Sequence, residues 1–375
     1  MSSGMTVGNG KVYDFLFIGA GLIPLLEAVH QTRCGKSALM VDCQADLGGA
    51  WLSKDLFGLT DVENAIHYLL PDRLGPKFMK DVLKWEVIPS PRKYRVFNVP
   101  GVGCCKAPYD SKVARVAGRM AEEPGIGGIV AGVRDLLFHE APRSYYINGG
   151  APEMLRKIRP IVAASDVEIR YSTFIDRIYI DRDAGEVQSH CGSEVIRSKT
   201  IVISHGARIN ALTSAKGTFQ IEHKVLRRPA AHMLVRDTFA SDMYEAIFSG
   251  DPIIKYAHDV TRFTRQAPEL LGKKKIIVLA FTHEIQNSAG LYETVLDKLK
   301  WAGMFGQNAV LEGSQWWDIM LPSLDDADLD RMKAEFGPQV EILKTDNFGA
   351  GIGLYAERWS TTIKAQPSEM RMQVA

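Results

Sequence analysis

Gly19 and Gly21 stand as Gly-x-Gly at the end of an apolar run, and of all the residues in this 375-residue chain they point most directly to chemistry. Glycines so placed let the backbone turn tightly and approach a pyrophosphate, whose charge then meets the unpaired N–H groups at the start of the following helix. Pro24 stands where the third glycine of a Gly-x-Gly-x-x-Gly fingerprint belongs. That glycine serves helix-to-strand packing, and a proline in the first helical turn gives up an N–H that has no intrahelical partner. Pro24 therefore weakens the motif without excluding it. Asp42 follows Gly19 by twenty-three residues, where a carboxylate accepts hydrogen bonds from an adenosine ribose. The three residues predict a dinucleotide site; the competing reading is a glycine turn with no ligand.

Such a site needs a strand before the glycines, a helix after them and a second strand ending in the acid. "KVYDFLFIGAG" supplies an apolar run from Tyr13 to Ile18 that reads as a buried parallel strand. Leu25, Ala28, Val29 and Thr32 recur at helical spacing, and "SALMVDC" reads as the second strand. Further on, "SKVARVAGRMAEE", "IGGIVAGVRDLLFHE" and the residues after "YYINGG" predict helices. "VEIRYSTFIDRIYIDRDAGEVQSH" predicts a β-meander, and "SKTIVISHG" another buried strand. In the middle, "AHMLVRDTF" and "KKKIIVLAFTHE" read as strands and "SAGLYETVLDKLKW" as a helix. "SLDDADLDRMKAEFGPQ" predicts a helix stopped at Gly337-Pro338, and the closing "VEILKTDNFGAGIGLYAERWSTTIKA" a strand, a glycine-rich turn and a terminal helix.

Forty-five basic residues nearly cancel forty-four acidic ones, so no overall basic field gathers nucleic acid or an anionic membrane, and small molecules are the expected partners. The amino-terminal "MSSGMTVGNGK" lacks the apolar core of a secretion signal and no run of eighteen apolar residues follows, which predicts a cytoplasmic protein without a membrane span. Five cysteines without metal-ligand spacing argue against a disulfide framework or a metal site. The neighbours Cys104 and Cys105 are read as reduced thiols, a redox couple being the alternative.

"VDCQADLGGAW" sets Gly48-Gly49 six residues past Asp42. Here the chain resembles the FAD-binding flavoproteins built like amine oxidases, protoporphyrinogen oxidase and UDP-galactopyranose mutase, with the glutathione-reductase-type FAD fold. "YYINGGAPEML", "VEIRYSTFIDRI" and "TIVISHGARI" resemble later segments of that family in the same order. The resemblance implies FAD held by Gly19, Gly21, Asp42, Gly48, Gly49 and Trp51, with Ile175 contacting adenine through its backbone. It places Asp346, Asn347 and Gly351 in the family's last flavin motif, where a helix amino terminus aimed at the pyrimidine would stabilise the anionic reduced ring. The expected fold class is α/β: a Rossmann-like FAD-binding lobe of residues 1–65, 148–215 and 338–375, with an interleaved mixed α+β substrate lobe of residues 66–147 and 216–337.

Candidates for chemistry follow from the same resemblance. In the sugar-nucleotide mutases a histidine-bearing loop after the Gly-Gly pair reaches the flavin, which marks His67, with Glu63 and Asn64 ordering the loop; a histidine packing a local turn is the plain alternative. His205 and Arg208 lie beyond a strand that the resemblance sends toward the flavin, and Arg208 suits a substrate carboxylate or phosphate as well as a solvated surface. Amine oxidases often place a lysine near flavin N5, and Lys224 and Lys255 are candidates for that place or for solvated faces. Trp316, Trp317 and Tyr292 suit an aromatic pocket or core packing, and Arg262 and Arg265 a phosphate or solvent.

Gly101-x-Gly103 has neither a strand-turn-helix frame nor a placed acid, and no C-x-x-x-x-C pair is present. A dedicated NAD(P)H domain is therefore not expected, and electrons would come from the substrate or an external reductant. The expected activity is hydride transfer from a small polar metabolite or biosynthetic intermediate to flavin, with oxygen or another acceptor. The alternatives are a UDP-galactopyranose mutase-like rearrangement on reduced FAD and a flavin-free binding protein on the same fold.

Overall fold

The run that begins at Val12 forms strand β1 (Val12–Ile18), whose Leu16 and Phe17 have no solvent exposure, as a central parallel strand covered on both faces requires. In this computed structural model the described residues are 10–64, 67, 79–80, 84–89, 93–99, 103–109, 111–123, 125–138, 145–204, 207, 209–221, 224–263, 273–323 and 326–343. The chain divides into two compact units. One comprises Met1–Leu52, Glu153–Leu226 and Leu321–Ala375; the other comprises Ser53–Pro152 and Arg227–Met320.

The first unit is Rossmann-like. After β1 come helix α1 (Leu22–Arg33) and β2 (Ala38–Val41), whose four residues are all buried. The same sheet holds β9 (Glu168–Arg170), β10 (Arg177–Asp181), β11 (Glu186–Cys191), β12 (Glu194–Ser204), β13 (Ala211–Ser214), β14 (Gly217–Gln220) and β20 (Val340–Leu343). Its parallel part runs β9-β2-β1-β12-β20, with Phe17 opposite Met40 on one side and Val202 on the other. Of the predicted meander only β10 and β11 pair antiparallel, continuing into the separately predicted strand β12; its first strand, β9, instead runs parallel beside β2. Leu16, Leu39, Ile178, Ile180, Ile201 and Phe336 share its core, the last from helix α6 (Asp326–Phe336).

The second unit carries a seven-stranded sheet in the order β19-β15-β18-β17-β16-β6-β7. These strands are β6 (Lys93–Val99), β7 (Gly103–Pro108), β15 (Lys224–Arg236), β16 (Glu245–Ser249), β17 (Ile254–Asp259), β18 (Lys274–Phe281) and β19 (Val310–Ser323). On one face Ala231, Met233, Ile277 and Leu279 pack with Val295 and Leu299 of helix α5 (Leu291–Trp301). On the other, Leu234, Ile276 and Val278 meet Leu56, Leu59 and Val62 of the hairpin β3 (Lys54–Leu56) and β4 (Leu59–Val62). Tyr146 joins that face from β8 (Tyr145–Ile147), which pairs with β5 (Val87–Pro89).

Helices α2 (Lys112–Glu122), α3 (Ile126–Phe138) and α4 (Gly150–Ala163) lie where the periodicity places them. The strands on either side of Gly101 pair antiparallel, Val99 opposite Gly103, so that Gly-x-Gly joins a hairpin rather than a strand to a helix. The long strand β19 has no counterpart in the sequence reading. The predicted terminal turn and helix lie outside the described residues. Among the described residues no helix is long and apolar enough to cross a membrane.

Candidate functional site

The two glycines of the first turn are glycine for different reasons. Gly19 has φ +102°, and a Cβ there would lie 2.8 Å from the Cβ of Ser204, so the chain itself demands glycine. Gly21 has φ −67° and ψ 165°, extended backbone that any residue adopts. A Cβ on Gly21 would meet nothing nearer than the Pro24 Cδ at 3.8 Å. Among the described residues nothing comes closer to a Cβ at this position than ordinary van der Waals contact, so glycine here is not demanded by the local backbone.

That helix start is arranged for an anion. Among the described residues no side chain caps it, and its first turn carries no acid, which leaves the N–H groups of Leu22 and Ile23 and the positive end of the helix dipole without a capping acceptor there. Pro24 is buried in this first turn, and Leu25 already donates to the Gly21 carbonyl at 3.1 Å, so the proline costs the ladder nothing. Gly48 (φ +130°) donates to the Ala20 carbonyl at 2.8 Å. A Cβ on Gly49 would stand 3.2 Å from the Gly21 Cα. The Gly-Gly pair thus packs directly on the turn, and Trp51 is buried just beyond it.

Asp42 lies at the end of β2 with its carboxylate turned into the turn. Oδ2 accepts the Ala20 N–H at 2.5 Å and Oδ1 accepts the Gln44 N–H at 2.7 Å. Each carboxylate oxygen keeps a further lone pair for a ribose hydroxyl. The Asp42 carbonyl accepts from Thr173 N–H at 2.9 Å, which ties the segment leading to the buried Ile175 to the same acid. These residues fit a dinucleotide of the FAD type: a sterically open helix head, a glycine-lined approach and a fixed carboxylate, all within the first unit.

The second unit contains an arrangement of another kind. Lys93, Glu245, His258, Val278 and His232 are successive register partners on β6, β16, β17, β18 and β15. Register partners share a face, so four polar groups form one row across five strands. Glu245 Oε2 is 3.5 Å from Lys93 Nζ and 3.6 Å from His258 Nδ1, and the Tyr146 hydroxyl is 3.2 Å from the same nitrogen. Burial pushes the Lys93 ammonium below its ordinary range.

At the other end of the row, His232 Nε2 donates to the Glu63 carbonyl at 2.7 Å, and its ring lies 4.1 Å from that of Trp317. Burial holds the His232 pKa down at about 4, so this ring is neutral at pH 7. Glu63 in turn takes His67 Nδ1 on Oε1 and the Ala151 N–H on Oε2, each at 3.0 Å. The Nδ1 of His232, Oδ1 of Asn64 and Nε1 of Trp317 are buried without a hydrogen-bond partner among the described residues.

The sequence candidates are therefore divided. His67 and Glu63 are brought together; Lys255 is exposed on β17. Trp316 stacks on Phe281 at 5.1 Å and Tyr292 packs against the apolar core, whereas Trp317 joins the polar row. The Arg262 guanidinium lies over the ring of Phe263 at 4.8 Å. His205, Arg208, Arg265, Asp346, Asn347 and Gly351, and the side chain of Lys224, lie outside the described residues. Tyr146, Lys93, Glu245, His258 and His232 escape the sequence reading. The available signal was a histidine or an acid set inside an apolar strand, as in "AAHMLV", "YAHDV" and "YEAIF". Among the described residues no group of three or more His, Cys, Asp or Glu could hold a metal ion.

No protein-family model and no curated protein sequence matches the chain. Solved structures do. Putrescine oxidase with putrescine bound superposes with a TM-score of 0.61 at 11% identity, over 95% of this chain and 100% of that one. A protein of an Exiguobacterium species assigned as a protoporphyrinogen oxidase gives 0.63 at 9% identity, over 94% and 100%. Reduced UDP-galactopyranose mutase gives 0.65 at 13% identity, over 95% of both chains. The expected resemblance holds at the level of architecture: the chain shares the fold of these solved structures.

Proposed function

We propose that the chain is an FAD-dependent oxidoreductase. It would transfer a hydride from a C–N, C–O or C–C bond of a small polar metabolite or biosynthetic intermediate to the flavin, with oxygen or another acceptor taking the electrons. The observation that carries this reading is the head of α1, where Gly21 leaves room that the fold does not need and Asp42 stands fixed beside it. Gly19, Gly21, Asp42, Gly48, Gly49, Trp51 and Ile175 would hold the dinucleotide, with Asp346, Asn347 and Gly351 at the flavin ring. FAD, when bound, supplies the hydride acceptor. His67 is the foremost catalytic candidate, Arg208 the candidate partner for a substrate carboxylate or phosphate, and Lys255 the third.

A second reading is a mutase that rearranges a sugar nucleotide on reduced flavin without net redox change. The buried Glu63–His67 pair favours it, because it follows the Gly-Gly pair as the histidine loop of such mutases does.

The test is the visible absorption spectrum of the purified protein, repeated on the supernatant after denaturation. Flavin bands released into the supernatant are expected, followed by anaerobic bleaching with a substrate. Activity that appears only after chemical reduction of the flavin would select the mutase reading. A colourless protein that also takes up no added FAD would overturn both in favour of a cofactor-free binding role.

A further inference from the structure

His232 has no solvent exposure, and its ring makes one hydrogen bond where it has the means for two. Nε2 lies 2.7 Å from the Glu63 carbonyl, which can only accept, so Nε2 carries a proton. Burial keeps the ring neutral at pH 7, which leaves Nδ1 as a bare acceptor. That nitrogen is buried and has no hydrogen-bond partner among the described residues. Trp317 supplies the complement. Its ring meets that of His232 at 4.1 Å between centroids, and its Nε1–H is a buried donor that likewise has no partner among the described residues. A second acceptor, Asn64 Oδ1, is unmet on the residue that follows Glu63. Buried polar groups in folded proteins are almost always paired, so an orphaned acceptor and an orphaned donor on two rings in contact point to a third group that serves both.

We infer that His232 Nδ1 and Trp317 Nε1 form a binding site for one neutral hydroxyl, whose proton goes to Nδ1 and whose oxygen takes the indole N–H. The pair selects by charge. An ammonium would satisfy Nδ1, but it would set its own protons against the indole N–H and its charge against the Lys54 ammonium, which lies 4.9 Å over the Trp317 ring. A carboxylate or phosphate oxygen would take the indole N–H but bring only lone pairs to Nδ1. An oxygen that carries its own proton serves both. Such a hydroxyl belongs to a bound water or to a substrate, and a substrate recognised here is an alcohol or a sugar rather than a simple amine. The inference goes beyond the proposed function and does not rest on flavin binding.

The experiment is NMR of the full-length protein labelled with 15N at tryptophan, reading contacts from the Trp317 indole proton. Trp317→Phe assigns the signal; if that variant does not fold, contacts to the His232 ring protons assign it instead. The wild type is expected to show a cross-peak from this indole proton at the water frequency. Its sign in the rotating-frame experiment should be opposite to the diagonal, which separates contact from proton exchange. The measurement is then repeated with D-galactose added at millimolar concentration. Replacement of the water peak by contacts to the sugar's carbon-bound protons assigns the hydroxyl to a substrate, and a water peak that persists assigns it to a bound water; both support the site. A Trp317 indole proton with no contact to water or to the sugar overturns the inference. No step needs FAD, so a protein that fails to bind flavin would remove the proposed function and leave this result intact.

Discussion

At the head of α1 the polar groups are main-chain N–H groups and one acid, gathered by the thirty-one residues from Val12 to Asp42; across the second unit's sheet they are side chains from four separate strands. The difference lies in how each place is stabilised. A turn made of backbone needs only that side chains stay out, which glycine guarantees. A buried polar row needs every charge to have a counterpart nearby, because removing one leaves another desolvated and alone. At Gly21 the turn should then be sensitive to added bulk in its binding but not in its stability. The row should be sensitive to deletion in its stability first.

The sharpest break in the comparison is Gly21→Val. It should abolish flavin retention, read as the loss of released flavin absorbance, and change folding stability by no more than about 1 kcal/mol. Retained flavin in this variant would show that the cofactor approaches elsewhere. Next comes Glu245→Ala, which removes the carboxylate beside Lys93 and His258. It should destabilise by about 4 kcal/mol in chemical denaturation, as expected when one partner of a buried pair is removed. A cost below about 1 kcal/mol would mean that water reaches the row.

The smallest effect is a pH dependence. His232 titrates near its ordinary value of 6.5 when unfolded and at about 4 when folded. Between these values the unfolded chain binds more protons, so stability is complete above pH 6.5 and falls as the pH drops toward 4. At about 1.4 kcal/mol per pH unit the loss amounts to about 3 kcal/mol. His232→Gln keeps a donor for the Glu63 carbonyl and should flatten that slope in denaturation curves recorded between pH 7 and 4. An equal slope in both proteins would assign the titration to other groups.

The same contrast governs what the sequence discloses. The turn was legible because its elements follow one another directly: an apolar run, two glycines, a helical period and an acid. Even Pro24 reads correctly, as a first-turn proline that the helix tolerates. The row was not legible because register, not sequence distance, brings Lys93, Glu245, His258 and His232 together, and they are 165 residues apart at the extremes. His67 was found only through resemblance, and its partner Glu63 was read as a loop-ordering residue, not as a carboxylate bonded to the ring. Strand β19 was missed because "VLEGSQWWDIMLPS" mixes glycine, acids and paired tryptophans without clean alternation.

Asp42 has one more consequence, which concerns exclusion. Its carboxylate is pinned by the Ala20 and Gln44 N–H groups, so it cannot rotate aside to admit a bulkier or more highly charged sugar. A nucleotide whose ribose carries an added phosphate would bring two negative charges against a third that has nowhere to go. If Asp42 holds the ribose as proposed, the backbone bonds that steady the turn would also make it a filter for nucleotides with both ribose hydroxyls bare.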